Sequence, residues 1–159
     1  MAERRSPKKV IYFLKEDLAD LDAGITSIKE RVSSAGQQVG EAAGESYDWH
    51  DNFAYEQAQR DRAMWTKKLI EMTELKQRAR LVEPDYLAGY VGLGRIATFE
   101  DLITGQVSSL RIGSYQVFKD DSISYTTPVA RLLLGASIGT VRRGRIGGEE
   151  KHFRIINVK

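Results

Sequence analysis

The segment LKEDLADLDAGITSIKERVSSAGQQVGEA, residues 14–42, decides the architecture of the N-terminal half. Its apolar positions advance by alternating steps of four and three residues, which is the heptad spacing of a coiled-coil seam. The seam positions are Leu14, Leu18, Leu21, Ile25, Ile28, Val32, Ala35, Val39 and Ala42. Charged residues between them, including Glu16, Asp17 and Asp20, are expected on the outside of the helix.

A second apolar stripe follows and predicts a partner helix for the first. Its positions are Tyr55, Ala58, Trp65, Leu69, Met72, Leu75, Ala79 and Val82, with Arg62 in one seam slot. Pro84 is expected to end the helix, because proline disfavours helical angles in the residue before it. The stripes mirror each other about Asp48, so we expect an antiparallel coiled-coil hairpin with arms of about 30 residues, or roughly 45 Å. A hairpin buries its own seam and favours a monomer; a dimerising or spacer coiled coil is the alternative.

The pattern changes after Pro84 and predicts a compact α+β domain. Residues 94–112 alternate apolar and polar positions around a Thr104-Gly105 turn, which is typical of a β-hairpin. A short helix is expected to begin after an N-cap at Thr127 and to close at Gly135. A second hairpin turns at Gly147-Gly148, with Val141, Phe153, Ile155 and Val158 expected to face inward. The predicted domains are a flexible tail at 1–9, the helical hairpin at 10–84 and the sheet domain at 85–159.

Composition excludes several kinds of function. The formal net charge is only +2, and the chain has no cysteine for a disulfide, a thiol nucleophile or a thiolate metal site. Only two histidines occur, which excludes a histidine-rich metal site. No apolar run is long enough to span a bilayer and the start of the chain lacks a signal-peptide core, so we expect a soluble, cytoplasmic protein with no membrane partner.

The predicted turn of the helical hairpin, SYDWHDNFAY at residues 46–55, carries two carboxylates. Asp48 and Asp51 lie three residues apart and can both point outward, and oxygen ligands suit Mg²⁺. Two carboxylates alone do not make a tight site, because Mg²⁺ prefers octahedral coordination and usually shares substrate phosphates. The pair therefore predicts half of a magnesium site that another molecule completes.

Three motifs in this order resemble the GreA/GreB transcript-cleavage factors of bacterial RNA polymerase, and the resemblance extends from about Val10 to Val158. The segment YDWHDNFAYEQA is similar to the family's tip motif, ISYTTPVARLLLG to its C-terminal motif, and TFEDLITG to a third. In the tip the matching residues are Asp48, Asp51, Asn52, Tyr55 and Ala58. The resemblance implies an antiparallel coiled coil followed by an FKBP-like antiparallel-sheet domain with one short helix.

The resemblance also implies a mechanism, in which the coiled coil enters the secondary channel of RNA polymerase. Asp48 and Asp51, supported by Asn52 and Tyr55, would help to hold a Mg²⁺ shared with the polymerase active centre. That ion would assist water in cutting the 3′ end of backtracked nascent RNA. The chain would then activate the polymerase's own nuclease rather than be an enzyme itself. The residues expected to dock at the channel rim are Thr126, Thr127, Pro128, Val129 and Arg131, and those expected to contact RNA are Arg60 and Arg62.

Departures from the family pattern keep other functions open. Tyr47 stands where the family has glycine, and Asp51 stands where it has the longer glutamate. These changes affect the expected cleavage more than the expected binding. The alternative is therefore a non-cleaving channel binder that inhibits or retunes the polymerase. A prolyl-isomerase-like chaperone is a third reading of the FKBP-like half, and it requires an aromatic-lined pocket that the sequence does not locate.

Overall fold

The computed structural model describes residues 9–45 and 53–159. Two compact units account for them. The hairpin unit is the described part of Leu21–Arg78, and the sheet unit combines Ala79–Lys159 with the described part of Met1–Asp20. In chain order the elements are β1 (Ile11–Phe13), α1 (Lys15–Glu45), α2 (Phe53–Arg78), β2 (Ala79–Leu81), β3 (Ile96–Asp101), β4 (Val107–Gly113), β5 (Ser122–Ser124), α3 (Pro128–Leu133), β6 (Val141–Ile146) and β7 (Glu149–Val158).

The hairpin unit confirms the antiparallel pairing that the two stripes predict. Contacts between the helices run in opposite chain order: Lys76 Nζ lies 2.6 Å from Asp22 Oδ1, and the Arg31 guanidinium lies 4.6 Å from the Trp65 ring centroid. The predicted α1 seam positions are all buried or half-buried, and Ile28 is 8% exposed. On α2, Arg62 is exposed, so the slot that it occupies in the stripe is not a packed position.

The sheet unit contains a five-stranded sheet in the order β5-β4-β3-β7-β6, antiparallel except for the β4–β5 pair. Helix α3 packs on the face that carries the core, because Ala130 and Leu133 are fully buried among the inward strand residues. The core residues are Val91, Ala97, Phe99, Ile112, Ala130, Leu133, Ala136, Phe153, Ile155 and Val158. The predicted α+β class, with a helical hairpin and a sheet domain carrying one short helix, is confirmed.

Turn and cap residues lie at the positions that the sequence predicts. Thr127 is the N-cap of α3 and Pro128 its first residue, while Gly135 follows the helix with a positive φ of 72°. Gly147 and Gly148 have φ values of 61° and 86°, which suits the tight turn between β6 and β7. The turn between β3 and β4 likewise places Gly105 at φ 73°.

Two of the expected strand and helix features differ from the structure. Val141 is 38% exposed rather than inward, because it pairs with exposed Arg154 and the alternation of β6 turns Arg142, Gly144 and Ile146 toward the core side. Helix α2 ends at Arg78 rather than close to Pro84.

The next three residues form β2, which pairs in parallel with β1 in register Ile11↔Ala79. Both strands lie within the sheet unit, and the predicted domain ranges 10–84 and 85–159 stay predictions. Of the predicted tail, residues 1–8 lie outside the described residues.

Candidate functional site

The predicted tip lies between two helices that the structure describes. Helix α1 ends at Glu45 and α2 begins at Phe53. Asp48, Asp51 and Asn52 fall between these bounds and lie outside the described residues. Their role as magnesium ligands therefore stays a prediction from the sequence. Within residues 9–45 and 53–159, no three His, Cys, Asp or Glu side chains are grouped so as to hold a metal ion.

The described residues just after the tip are set on the first turns of α2. Tyr55 is half-buried, and Ala58 is 7% exposed where the two arms meet. Arg60 is exposed and its guanidinium lies 2.9 Å from Glu56, one turn earlier on the same helix. Arg62 is also exposed and lines a groove of about 880 Å³ along the hairpin, together with Val39 of α1. Both arginines thus keep their cationic groups at the solvent surface, as an RNA contact would require.

The predicted docking residues form one connected loop and helix start in the sheet unit. Thr127 donates its hydroxyl to the carbonyl of Ser124 at 2.9 Å and accepts the Ala130 N–H at 3.3 Å. The Thr126 and Ser124 hydroxyls share a 2.8 Å hydrogen bond, and the Thr126 N–H also donates to Ser124 Oγ. Pro128 and Arg131 are exposed, whereas Val129 is half-buried against the core. The loop is therefore fixed by its own hydrogen bonds while Pro128 and Arg131 stay available to a partner.

A buried carboxylate fixes the beginning of α1 to the end of β4 within the sheet unit. Asp17 is 1% exposed and accepts hydrogen bonds from the Ser114 N–H, the Ser114 hydroxyl and Arg111, the last at 2.9 Å. Ser114 Oγ in turn accepts the Leu14 N–H at 2.8 Å. Burial raises the pKa of Asp17, but the hydrogen bonds from Ser114 and Arg111 outweigh it and hold that pKa below its usual range. The expectation that Asp17 lies on the solvent side of the helix is wrong.

A group of tyrosines lies beside the docking loop and was not predicted from the sequence. The ring centroids of Tyr12 and Tyr125 lie 6.4 Å apart, and those of Tyr115 and Tyr125 lie 6.5 Å apart. The segment VIYF at residues 10–13 is the signal that could have found the first of them, since β-branched and aromatic residues are enriched in β-strands. The other two follow strands β4 and β5, where only the fold brings them together.

The fold and the site together define a two-unit protein with a long helical hairpin and a sheet domain that exposes a rigid loop. No protein-family model matches the chain. The GreA transcription elongation factor of Thermosipho melanesiensis is 22% identical over 155 residues, covering 96% of this chain and 98% of that protein. The GreA of Bacillus subtilis is 26% identical over 113 residues, covering 70% of this chain and 72% of that protein.

Similar chains are also found among solved structures, at low identity. The crystal structure of GreA factor homolog 1 from Thermus thermophilus is 23% identical, covers 95% of this chain and 99% of its own, and superposes with a TM-score of 0.45. The matches to GreA sequences over nearly the whole chain confirm the predicted resemblance to the GreA/GreB family of transcription elongation factors.

None of the helices in the described ranges combines the length and the apolar composition that a membrane span needs.

Proposed function

We propose that the protein is a transcription elongation factor that binds bacterial RNA polymerase, inserts its helical hairpin into the secondary channel and stimulates Mg²⁺-dependent cleavage of backtracked RNA. The observation that carries this proposal is the similarity to GreA factors over almost the full length of the chain. The match to the Thermosipho melanesiensis GreA covers 96% of it. The partners are the polymerase and the 3′ end of the nascent RNA, and the place of action is the cytoplasm. The nuclease is the polymerase itself, and this chain supplies ligands to it.

The hairpin suits the role of a delivery arm. Helix α1 has 31 residues, which corresponds to roughly 45 Å. In the sequence, the segment that carries Asp48 and Asp51 joins the end of α1 to the start of α2. A carboxylate pair offers oxygen ligands to Mg²⁺ and leaves the remaining positions to polymerase residues, water and an RNA phosphate. The bound ion would activate water and neutralise charge on the scissile phosphate.

The docking loop suits the role of an anchor outside the channel. Pro128 and Arg131 are exposed at the start of α3, and hydrogen bonds from Thr126 and Thr127 to Ser124 hold the loop in one conformation. A preformed loop loses little conformational freedom on binding, which favours affinity. Binding would then depend on the sheet unit and cleavage on the tip.

A cleavage assay on a backtracked complex of purified polymerase tests the proposal. Asp48→Asn removes one anionic ligand, and we expect cleavage to fall by about 10²–10³-fold, by analogy with loss of one preorganised electrostatic group. Glu41→Gln, which neutralises an exposed acid elsewhere on α1, is the matched control and should cleave normally. The double change Thr126→Lys with Pro128→Ala should instead weaken binding at least tenfold, about 1.4 kcal/mol.

The alternative is a channel binder that does not stimulate cleavage. It is favoured by Asp51, whose side chain is one methylene shorter than the family's glutamate, and by Tyr47 in place of glycine. A wild-type protein that binds the polymerase and slows elongation, yet stimulates no cleavage at any Mg²⁺ concentration, would establish this alternative. Asp51→Glu would then be expected to restore reach to the ion and to produce cleavage.

A further inference from the structure

Strand β6 lies at one edge of the five-stranded sheet. The order β5-β4-β3-β7-β6 gives it a single neighbour, β7, and no strand of the described residues pairs with its other side. We call the side that faces away from β7 the β6 edge. Unpaired backbone N–H and C=O groups along such an edge can pair with another extended chain.

The pairing with β7 determines which backbone groups point to the β6 edge. The Leu102 N–H donates to the His152 carbonyl at 2.8 Å, so His152 directs its backbone groups toward β3 rather than toward β6. Arg143 is the residue opposite His152, and its N–H and C=O therefore point to the β6 edge. Because this direction alternates along an antiparallel strand, Val141 and Arg145 point the same way.

The two arginines on this edge have no ion-pair partner among the described residues. Arg143 and Arg145 are both exposed, and the Arg145 side chain donates only to the Gly148 carbonyl of the adjacent turn, at 3.4 Å. The neighbouring strand differs, because each basic residue of β7 has a carboxylate oxygen at 3.0–3.9 Å: Lys151, His152 and Arg154. The charges of Arg143 and Arg145 are therefore available to carboxylates of another molecule.

The other face of β6 is shielded and partly apolar. Arg142, Gly144 and Ile146 are half-buried there. A Cβ at Gly144 would lie 3.0 Å from Leu132 Cδ1, so an aliphatic side chain of α3 covers the middle of this face. A residue opposite Gly144 in an added strand would lie on the same face as Leu132, which favours an aliphatic side chain.

A second copy of this chain is a poor occupant of the β6 edge. An antiparallel pair of two β6 strands centred on Arg143, Gly144 or Arg145 places an arginine opposite an arginine. Like charges directly opposite each other destabilise a strand pair. The edge therefore favours a chain of the opposite charge.

We propose that the β6 edge binds an extended acidic segment of a partner protein by adding it to the sheet as a further strand. Directly opposite residues share a face, so the segment carries one acidic residue opposite Arg143 and another opposite Arg145, with an aliphatic residue between them. Backbone hydrogen bonds supply affinity and the side chains supply specificity. The proposal goes beyond the proposed function, because it uses neither the tip nor the docking loop.

NMR of the full-length protein with a synthetic peptide tests the proposal. The probe is a capped peptide of alternating valine and glutamate. At saturating peptide, solvent exchange of the Val141, Arg143 and Arg145 amides should slow at least about threefold, because their N–H groups gain acceptors. The Gly144 amide, which faces β7, should change less.

Two methylated forms of the peptide separate strand addition from charge attraction. In the proposed register, the glutamate amides face Arg143 and Arg145, whereas the valine amides face away. N-methylation of the glutamates keeps the charge but removes these donors, and it should abolish binding. N-methylation of the valines is the matched control and should leave the dissociation constant within about threefold.

Variants of the protein test the contribution of charge. Arg143→Glu with Arg145→Glu replaces attraction by repulsion and should weaken peptide binding at least about tenfold. Arg154→Gln is the control, because Arg154 is an exposed cation of β7 rather than of the edge, and it should bind within about twofold of wild type. If circular dichroism shows that the double variant is unfolded, Arg143→Gln with Arg145→Gln replaces it and should weaken binding at least about threefold.

Three outcomes overturn the proposal. Unchanged exchange of the edge amides at millimolar peptide would leave the arginines as a means to keep β6 from pairing with other chains. Equal binding of the two methylated peptides would reduce the effect to charge attraction without strand addition. Protection of the same amides that rises with protein concentration, without peptide, would make a second copy the occupant.

Discussion

Replacing Asp17 with asparagine removes a buried negative charge while keeping the size of the side chain. The carboxylate accepts three hydrogen bonds, two from Ser114 and one from Arg111. An asparagine side chain has one acceptor oxygen and places an NH₂ group where a second acceptor stood. At least one donor in the cluster therefore loses its partner, and Arg111 loses its buried counter-charge.

The magnitude follows from the surroundings of Arg111. Removing one partner of a buried ion pair costs about 3–5 kcal/mol, because the other charge is left uncompensated. The Arg111 side chain is 15% exposed, and its second guanidinium nitrogen lies 3.7 Å from Glu16. Since some compensation remains, we expect the lower end of that range. The free energy of unfolding of the sheet unit should therefore fall by about 3 kcal/mol.

Hydrogen exchange of the β4 amides is the suitable measurement, because it reports opening of the sheet unit separately from the hairpin unit. A loss of about 3 kcal/mol corresponds to roughly hundredfold faster exchange of amides that open globally. Glu16→Gln is the control, since the Glu16 side chain is 71% exposed and exposed pairs contribute about 0–1 kcal/mol. A change of less than 1 kcal/mol for Asp17→Asn, or equal losses for the two variants, would refute the reasoning.

The pH dependence of the same measurement has a defined sign. The pKa of Asp17 is lowered in the folded protein from its ordinary value of 3.8 by the Ser114 and Arg111 hydrogen bonds, which exceed the opposing effect of burial. Its contribution is therefore complete above the unfolded pKa and is lost as the pH falls through the folded pKa. The stability difference between wild type and Asp17→Asn should be constant at neutral pH and shrink below about pH 4.

Two further predictions concern packing. Ile28→Asp places a charge in the hairpin seam, where Ile28 is 8% exposed, and should lower the unfolding free energy of the hairpin by several kcal/mol. Tryptophan fluorescence in urea measures this loss, because both tryptophans belong to the predicted hairpin, and a loss below about 1 kcal/mol would contradict the packed seam. Gly40→Ala should stabilise α1 by about 1 kcal/mol, because the added Cβ meets no described atom within 4 Å. Gly113→Ala should instead destabilise by about 1–3 kcal/mol, since its Cβ would lie 2.4 Å from Val117 Cγ1; thermal midpoints that move in the same direction for both would contradict this contrast.

Features that depend on local sequence were predicted correctly. The heptad spacing from Leu14 onward depends only on which side of one helix is apolar. A second apolar stripe that mirrors the first is enough to predict the antiparallel hairpin. Likewise, Thr127 and Pro128 start α3 through interactions within one turn. The turn at Gly147 and Gly148 needs only two residues with positive φ. Each of these features is determined within a few residues or by one repeating period.

Features that depend on distant partners were not predictable in this way. Asp17 fits the polar face of α1 by periodicity, and only its Ser114 partner, 97 positions later, makes it a buried residue. Strand β1 has only three residues. Its partner strand β2 begins at Ala79, which the predicted apolar stripe assigned to the second helix. The group of tyrosines combines Tyr12 of β1 with Tyr115 and Tyr125, which follow β4 and β5. No local pattern identifies such a combination.

Under the proposed function, the distribution of the candidate residues makes binding and cleavage separable by mutation. Asp48 and Asp51 belong to the segment between α1 and α2, whereas Pro128 and Arg131 belong to the sheet unit, which has its own core. Pro128 and Arg131 are exposed, so a substitution at either one leaves the buried residues of that core unchanged. A variant that binds but does not cleave therefore reports on the metal ligands, and one that loses both activities reports on docking. Either functional alternative predicts the same docking behaviour, so only the tip variants distinguish them.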